Sequence, residues 1–227
     1  TYELNLNYWA KNIPIKKGTE NFGLIRYEYY KDRSIEREAF KSGDIDFFSE
    51  NTSKDWATSY DTPALKANLI KKELIEHENP QGMQAFAFNT RKEYFKDRRV
   101  REALSYAFDF EWTNKNLFYN AYKRTNSFFE NSELASSGLP SGKELELLSP
   151  YMDVLPKEVF SEIYNPPQTD GSGFMRKELQ KATSLLQSAG WQLVNGNLIN
   201  KNSLKKFEFE ILLVSPAFER IVLPFKD

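Results

Sequence analysis

Arg124, Asn126 and Phe128 fall within one short stretch, Tyr119 to Phe129, that mixes a guanidinium, amides, hydroxyls and aromatic rings without a helical or strand period. Such a mixture suits one of two roles. It can pack a loop onto its own domain, or it can line a polar cleft with stacking surfaces. In a cleft, Arg124 would pair with a carboxylate or another acidic ligand group. Asn126 would bond ligand amides, and Phe128 would pack on a side chain. Trp56 and Tyr60, in the irregular stretch between Glu50 and Leu69, offer the same kind of surface. These five residues are the candidate ligand-binding set.

Residue types for other chemistry are thin. His77 is the one histidine, and a Ser/His/Asp arrangement needs a positioned imidazole. The chain has no cysteine, which removes disulfides and thiolate metal sites. Asp44 and Asp46 are too sparse for a calcium loop and read as two charges bracketing Ile45. The Asp170-Gly-Ser-Gly173 segment suggests either an anion site at a helix N-terminus or a flexible lead-in. It lacks the lysine and spacing of a phosphate loop, which favours the lead-in. Arg98, Arg99 and Arg101 alternate with Asp97 and Glu102 and read as a solvated helix face. No carboxylate pair is singled out for glycoside chemistry. No catalytic residue, metal site or cofactor is expected.

The elements that must position these residues centre on Asn89 to Trp112. Val100, Ala103, Leu104, Ala107 and Phe108 form one face of a 3.6-residue period, with Asp97 as N-cap. Arg98 and Glu102 stand four apart as a stabilising pair. An apolar run of strand length, Gly82 to Asn89, leads into this helix. Before it, strands are expected over 2–9, 23–30, 44–48 and 69–78. A helix is expected over 32–42 with Gly43 as its C′ residue, and short helical turns after Asp55 and at Pro63 with Thr62 as cap. After it come a helix from Glu111 capped by Asp109, then a long irregular stretch, 120–173, with helical pieces at 142–148 and 156–163. A helix over 175–189 follows, with Leu179, Ala182, Leu185, Leu186 and Ala189 as its buried stripe and Gly190 at its end. Asn195-Gly196 signals a type I′ hairpin, Phe207 to Val214 a strand, and the residues after Pro216 a helix ended or bent at Pro224.

At 227 residues, 40% hydrophobic and 28% charged, the chain is globular and able to bury a core. A net charge of −1 provides no basic field for nucleic acid or an anionic membrane. No apolar run approaches the roughly 20 residues of a membrane span. The start shows no signal peptide and no initiator Met, and neither end reads as a domain boundary. These features point to a piece of a longer protein.

Four segments occur in an order that resembles a known family. They are Lys41-Ser-Gly-Asp-Ile-Asp46, Phe86-Ala-Phe-Asn89, Phe95 to Asp109, and Ala182 to Trp191. Together with Asn5-x-x-Tyr8-Trp9 they resemble the family 5 extracellular solute-binding proteins, the peptide-binding components of ABC importers. Arg124 to Gly138 and Thr169 to Gly173 look like the branch linked to oligopeptide and microcin C uptake in Gram-negative bacteria. The resemblance covers nearly the whole chain.

It implies an α/β fold of the periplasmic-binding-protein type II, peptide-binding class, with incomplete pieces of two lobes. Residues 1–78 would belong to the first lobe and 79–227 to the second. It implies a non-enzymatic role in the periplasm: capture of an oligopeptide ligand and delivery to an ABC transporter permease in the inner membrane. The alternative from another class is a hydrolase acting on peptides or glycans through paired carboxylates. The matched segments are structural and carry no ligand residue across, so Trp56, Tyr60, Arg124, Asn126 and Phe128 stand on residue chemistry alone.

Overall fold

A computed structural model describes residues 1–226. The chain forms two compact units that divide between Lys72 and Glu73, upstream of the 78/79 boundary expected from the sequence.

In the first unit, β1 (Tyr2–Glu3) and β2 (Leu24–Ile25) pair antiparallel, with Tyr2 opposite Ile25. Both are far shorter than the runs 2–9 and 23–30. The first is cut off by its own asparagine. Asn5 Oδ1 accepts the main-chain N–H of Asn7 at 3.0 Å, and Tyr8 N–H bonds back to Asn5 O at 3.0 Å. A side chain that offers its neighbours a local acceptor competes with the ladder.

Helix α1 (Arg33–Ser42) matches its sequence signals. Asp32 accepts Ser34 N–H at 2.7 Å, and Gly43, at φ 91°, closes the C-terminus. Asp44 N–H reaches Ala39 O and Gly43 N–H reaches Phe40 O, the paired bonds of a Schellman cap. Helices α2 (Ser53–Thr58) and α3 (Pro63–Lys66) follow, the latter with Pro63 in its first turn and Thr62 accepting Leu65 N–H at 3.3 Å. Arg37 ties α1 to α2: its Nε lies 3.0 Å from Glu50 and its Nη2 2.5 Å from Asp55.

The second unit is built on α4 (Glu93–Lys96) and α5 (Arg98–Tyr106), which meet at Asp97. Asp97 accepts Arg99 N–H at 2.9 Å, as an N-cap should. Next comes α6 (Phe110–Leu117), where Asp109 accepts Trp112 N–H at 2.9 Å. Two short helices, α7 (Gly142–Leu148) and α8 (Glu158–Ser161), interrupt an irregular stretch. Then α9 (Arg176–Ser188) packs along α5. The hairpin β3 (Trp191–Val194) and β4 (Asn197–Asn200) turns through Asn195 and Gly196, both at positive φ. The core is Phe95, Val100 and Trp191, with Phe88, Tyr94, Leu104, Leu186, Phe207 and Phe209 packed around them.

Several expectations are corrected. Leu179 does not join the buried stripe of α9; it is half exposed, while Ala182 is buried. Arg98 faces Glu158 at 3.9 Å rather than Glu102. Arg98 and Arg99 are exposed, as a solvated face requires, whereas Arg101 is partly buried, and Arg99 and Arg101 also make main-chain contacts. Arg99 Nη1 donates to Ser188 O at 2.7 Å, at the C-terminus of α9, and Arg101 Nη1 donates to Phe95 O and Lys96 O at the end of α4. Each cation meets orphan carbonyls at the negative end of a helix dipole. Of the two expected effects of Pro224, ending or bending the helix, ending does not occur: α10 (Glu219–Lys226) runs through it.

The expected strands at 44–48, 69–78, 82–89 and 207–214 form no ladder among the described residues. Residues 207–214 do alternate, with Phe207, Phe209, Ile211 and Leu213 partly buried and the intervening residues exposed. The period of two reports which face is covered. Pairing requires a second strand alongside. Among the described residues, no helix is long and apolar enough to cross a membrane.

Candidate functional site

The candidate residues fall in both units, and each group has its own surroundings. In the first unit, Tyr60 is buried, and its hydroxyl donates to Glu50 Oε2 at 2.8 Å. Burial and the Glu50 carboxylate push the Tyr60 phenol well above its ordinary range. Its ring packs on Phe40 and, 6.4 Å away at 58°, on Trp56. Tyr60 is therefore no exposed stacking surface; it backs Trp56 from inside. Trp56 is half-buried. The Lys72 ammonium sits 4.3 Å from its ring centroid and also donates to the Trp56 carbonyl.

In the second unit, the stretch after α6 is an ordered loop. Asn114 pins its start, donating to Tyr122 O at 2.7 Å and accepting Tyr122 N–H at 3.2 Å. Ser127 is buried, and its hydroxyl accepts main-chain N–H groups from Phe129 and Ser136. Asn131 Nδ2 reaches His77 O and Asn79 O, and Gln81 N–H bonds Glu130 O at 2.8 Å. The loop is thus tied both to itself and to the segment 77–81.

A polar cavity of about 290 Å³ opens within it, lined by Lys123, Asn126, Glu130, Ser136, Ser137 and Tyr164 among others. Asn126 is exposed, with its main-chain N–H on Glu130 Oε1 at 3.3 Å. Phe128 is 76% exposed. Asn126 and Phe128 are therefore available to a ligand. Ser127 and Asn131, which shape the loop, were not singled out by sequence. Their partners lie up to 54 residues away, where spacing gives no signal.

Arg124 is partly buried. Its guanidinium lies 5.5 Å from the Phe110 ring and 5.9 Å from the Phe108 ring. Nη1 is buried without a hydrogen-bond partner. Burial pushes its pKa down, against the opposing influence of Glu111, Tyr164 and Asp109. A guanidinium stays protonated in such a setting, so a charged donor is left over.

The segment 169–173 folds onto the start of α6. Thr169 Oγ1 donates to Asp109 Oδ1 at 2.5 Å, and Thr169 N–H donates to Glu111 Oε2 at 3.0 Å. Gly173, at φ 83°, lies so close to Trp112 that a Cβ would sit 3.1 Å from Cδ1 of the indole. The expected flexible lead-in is therefore a packed turn, and its glycine is there for close approach. Gly173→Ala is expected to destabilise the protein by about 1–3 kcal/mol, measured by chemical denaturation.

The chain matches the family described as bacterial extracellular solute-binding proteins, family 5 middle, over residues 1–225. It is 45% identical over 220 residues to the uncharacterized protein YejA of Escherichia coli (strain K12), covering 97% of this chain and 36% of that protein. It is 40% identical to the probable peptide-binding protein YejA of Agrobacterium fabrum, covering 99% of this chain and 37% of that protein. It is 39% identical to the peptidoglycan-binding protein YepA of the same organism, covering 99% and 38%. The chain spans little more than a third of the length of these relatives. With a match that runs through both units and nearly every residue, the chain belongs to the family 5 bacterial extracellular solute-binding proteins.

Proposed function

We propose that the protein carrying this chain is a periplasmic substrate-binding protein. It captures oligopeptides between two lobes and delivers them to the permease of an ABC transporter in the inner membrane. The observation that carries this proposal is the family match over residues 1–225. The printed name of the Agrobacterium YejA, a probable peptide-binding protein, supports the ligand class. Binding, not catalysis, is the role. The main chain of an extended peptide would be held by hydrogen bonds that read no side chain, and roomy pockets would accept varied residues. Lobe closure would then shift the population toward the form a transporter recognises.

Within the chain, Arg124 is the residue for an acidic ligand group, because its Nη1 lacks a protein partner. Asn126 lines the polar cavity and would bond peptide amides. Phe128 and Trp56 would pack on ligand side chains, with Tyr60 supporting Trp56 from behind.

Native mass spectrometry of the freshly purified intact protein is expected to show adducts of peptide mass that denaturation releases. A bare protein that also generates no calorimetric heat with mixed tri- to decapeptides would overturn the proposal. Steady release of cleaved product from those peptides would point to a hydrolase instead.

A further inference from the structure

Asn195-Gly196 joins β3 to β4 and is the one Asn-Gly pair in the chain. An asparagine followed by glycine can react with its own main chain. The glycine nitrogen attacks the side-chain carbonyl carbon, and no Cβ obstructs the approach. Asparagine is thermolabile for this reason. Whether the reaction runs in a folded protein depends on what restrains the amide and the nitrogen.

At this turn little does. Both residues are exposed. Among the described residues, the Asn195 side-chain amide and the Gly196 N–H have no hydrogen-bond partner, and only Asn195 O is engaged, accepting from Asn197 Nδ2 at 3.2 Å. Beyond its chain neighbours, no heavy atom lies within 4 Å of the place a Cβ on Gly196 would take. The Val194 and Asn197 pair closes the ladder beneath the tip, so the turn can flex without unpairing the strands.

Comparable pairs elsewhere are held. In Asp170-Gly171 the glycine is buried, its N–H donates to Thr169 Oγ1 at 3.1 Å, and Asp170 Oδ1 accepts Ser172 N–H at 2.9 Å. In Asn202-Ser203 the serine N–H is taken by Asn200 Oδ1 at 3.0 Å.

We propose that Asn195 is a site of spontaneous deamidation in the folded protein, converting chiefly to isoaspartate and loosening the hairpin from the core. The Gly196 nitrogen gives its proton to solvent and bonds to Asn195 Cγ. The amide C–N bond breaks, ammonia leaves, and a cyclic succinimide remains. Water then opens the ring. Opening at the main-chain carbonyl gives isoaspartate, and opening at the side-chain carbonyl gives aspartate. Isoaspartate routes the chain through the side-chain carbon and adds a backbone atom to the two-residue loop. Loop length fixes hairpin register, and this hairpin carries Trp191 and Leu198 into the core with Phe95 and Val100.

The intact protein is incubated at mildly alkaline pH beside a synthetic peptide of residues 182–201, the same peptide that trypsin releases from the protein. Fragment masses are expected to place the gain from NH2 becoming OH on Asn195 ahead of every other asparagine. An isoaspartyl methyltransferase should label the product. An Asn195 still unreacted in the protein after several half-lives of the free peptide would overturn the proposal, as would a product containing only ordinary aspartate. Asn195→Gly keeps a Gly-Gly pair that the turn accepts and should show no gain; a gain that persists there would place the reaction at Asn197 or Asn200 instead. The aged protein should also unfold at lower denaturant concentration than freshly prepared Asn195→Asp, which carries the charge on a normal backbone. Equal midpoints would overturn the claim that the hairpin loosens.

Discussion

Arg37→Ala is expected to lower the stability of the protein by about 3–5 kcal/mol, the range for removing one partner of a buried ion pair. The cause is the set of groups that Arg37 holds. Its side chain is 10% exposed and that of Glu50 is 2% exposed, so neither partner can turn to water for compensation. Glu50 accepts from Arg37 at 3.0 Å, from Tyr60 at 2.8 Å and from Thr52 N–H at 3.0 Å. Loss of the guanidinium leaves Glu50 and Asp55 without their cation and detaches α1 from α2. Arg37→Met would keep part of the volume but not the charge, and it should remain nearly as damaging while Glu50 is present. The double change Arg37→Met with Glu50→Gln should recover part of the loss, since the stranded carboxylate is then gone.

The same cluster sets a pH dependence. Burial acts to raise the Glu50 pKa, but hydrogen bonds from Tyr60, Arg37 and Thr52 and the Arg37 charge outweigh it, and the net shift is downward. A depressed carboxylate stabilises the fold above its unfolded pKa, and that stability is lost as pH falls through the folded value. Tyr60 is shifted upward. Its contribution is complete below the ordinary phenol range and is lost as pH rises beyond that range, where the unfolded phenol ionises first. Denaturation midpoints for the wild type should therefore fall at both extremes. Tyr60→Phe should flatten the alkaline limb. An alkaline limb unchanged by Tyr60→Phe would contradict the assignment.

Arg124→Ala is the second large effect, and it should appear in peptide affinity. In the proposed role, the buried Arg124 nitrogen without a protein partner would form a charge-assisted bond to a ligand acid worth about 1.5–3 kcal/mol, or roughly ten- to a hundredfold in affinity. Arg124→Lys keeps the charge but loses the planar fork, and it should recover only part of the loss. Arg124 also lies near the Phe108 and Phe110 rings, so a purely structural role would lower the melting temperature without changing affinity at saturating fold. An unchanged dissociation constant in Arg124→Ala removes this residue from the binding site.

The features that were legible in the sequence are those whose partners are close along the chain. Thr62, Asp97 and Asp109 each accept an N–H two or three residues onward, and spacing alone identifies them. Gly43 and the Asn195-Gly196 turn are equally local. The expected strands at 44–48, 69–78, 82–89 and 207–214 formed no ladder among the described residues because pairing is a property of two segments, and apolar alternation identifies only one. The arginines after Asp97 do face solvent in part, as read, but their main-chain partners were not legible for a related reason. Arg99 is exposed yet also meets Ser188 across 89 residues, a contact that spacing cannot reveal.

The candidate site divides the same way. The composition of the loop around Arg124 marked it as unusual, and in the structure Asn126 and Phe128 are exposed. The burial of Tyr60 was not legible, because nothing in its immediate neighbours reveals Glu50, ten residues upstream, as the partner of its hydroxyl. Gly173 looked like slack chain, yet its freedom is used to reach Trp112, 61 residues earlier in sequence (173 minus 112).

Isothermal titration calorimetry of the intact protein with mixed tri- to decapeptides tests the peptide-binding role most directly. Saturable heat with no cleaved product, weakened by Arg124→Ala, is the expected result. Heat that never saturates, or peptides that emerge hydrolysed, would contradict it.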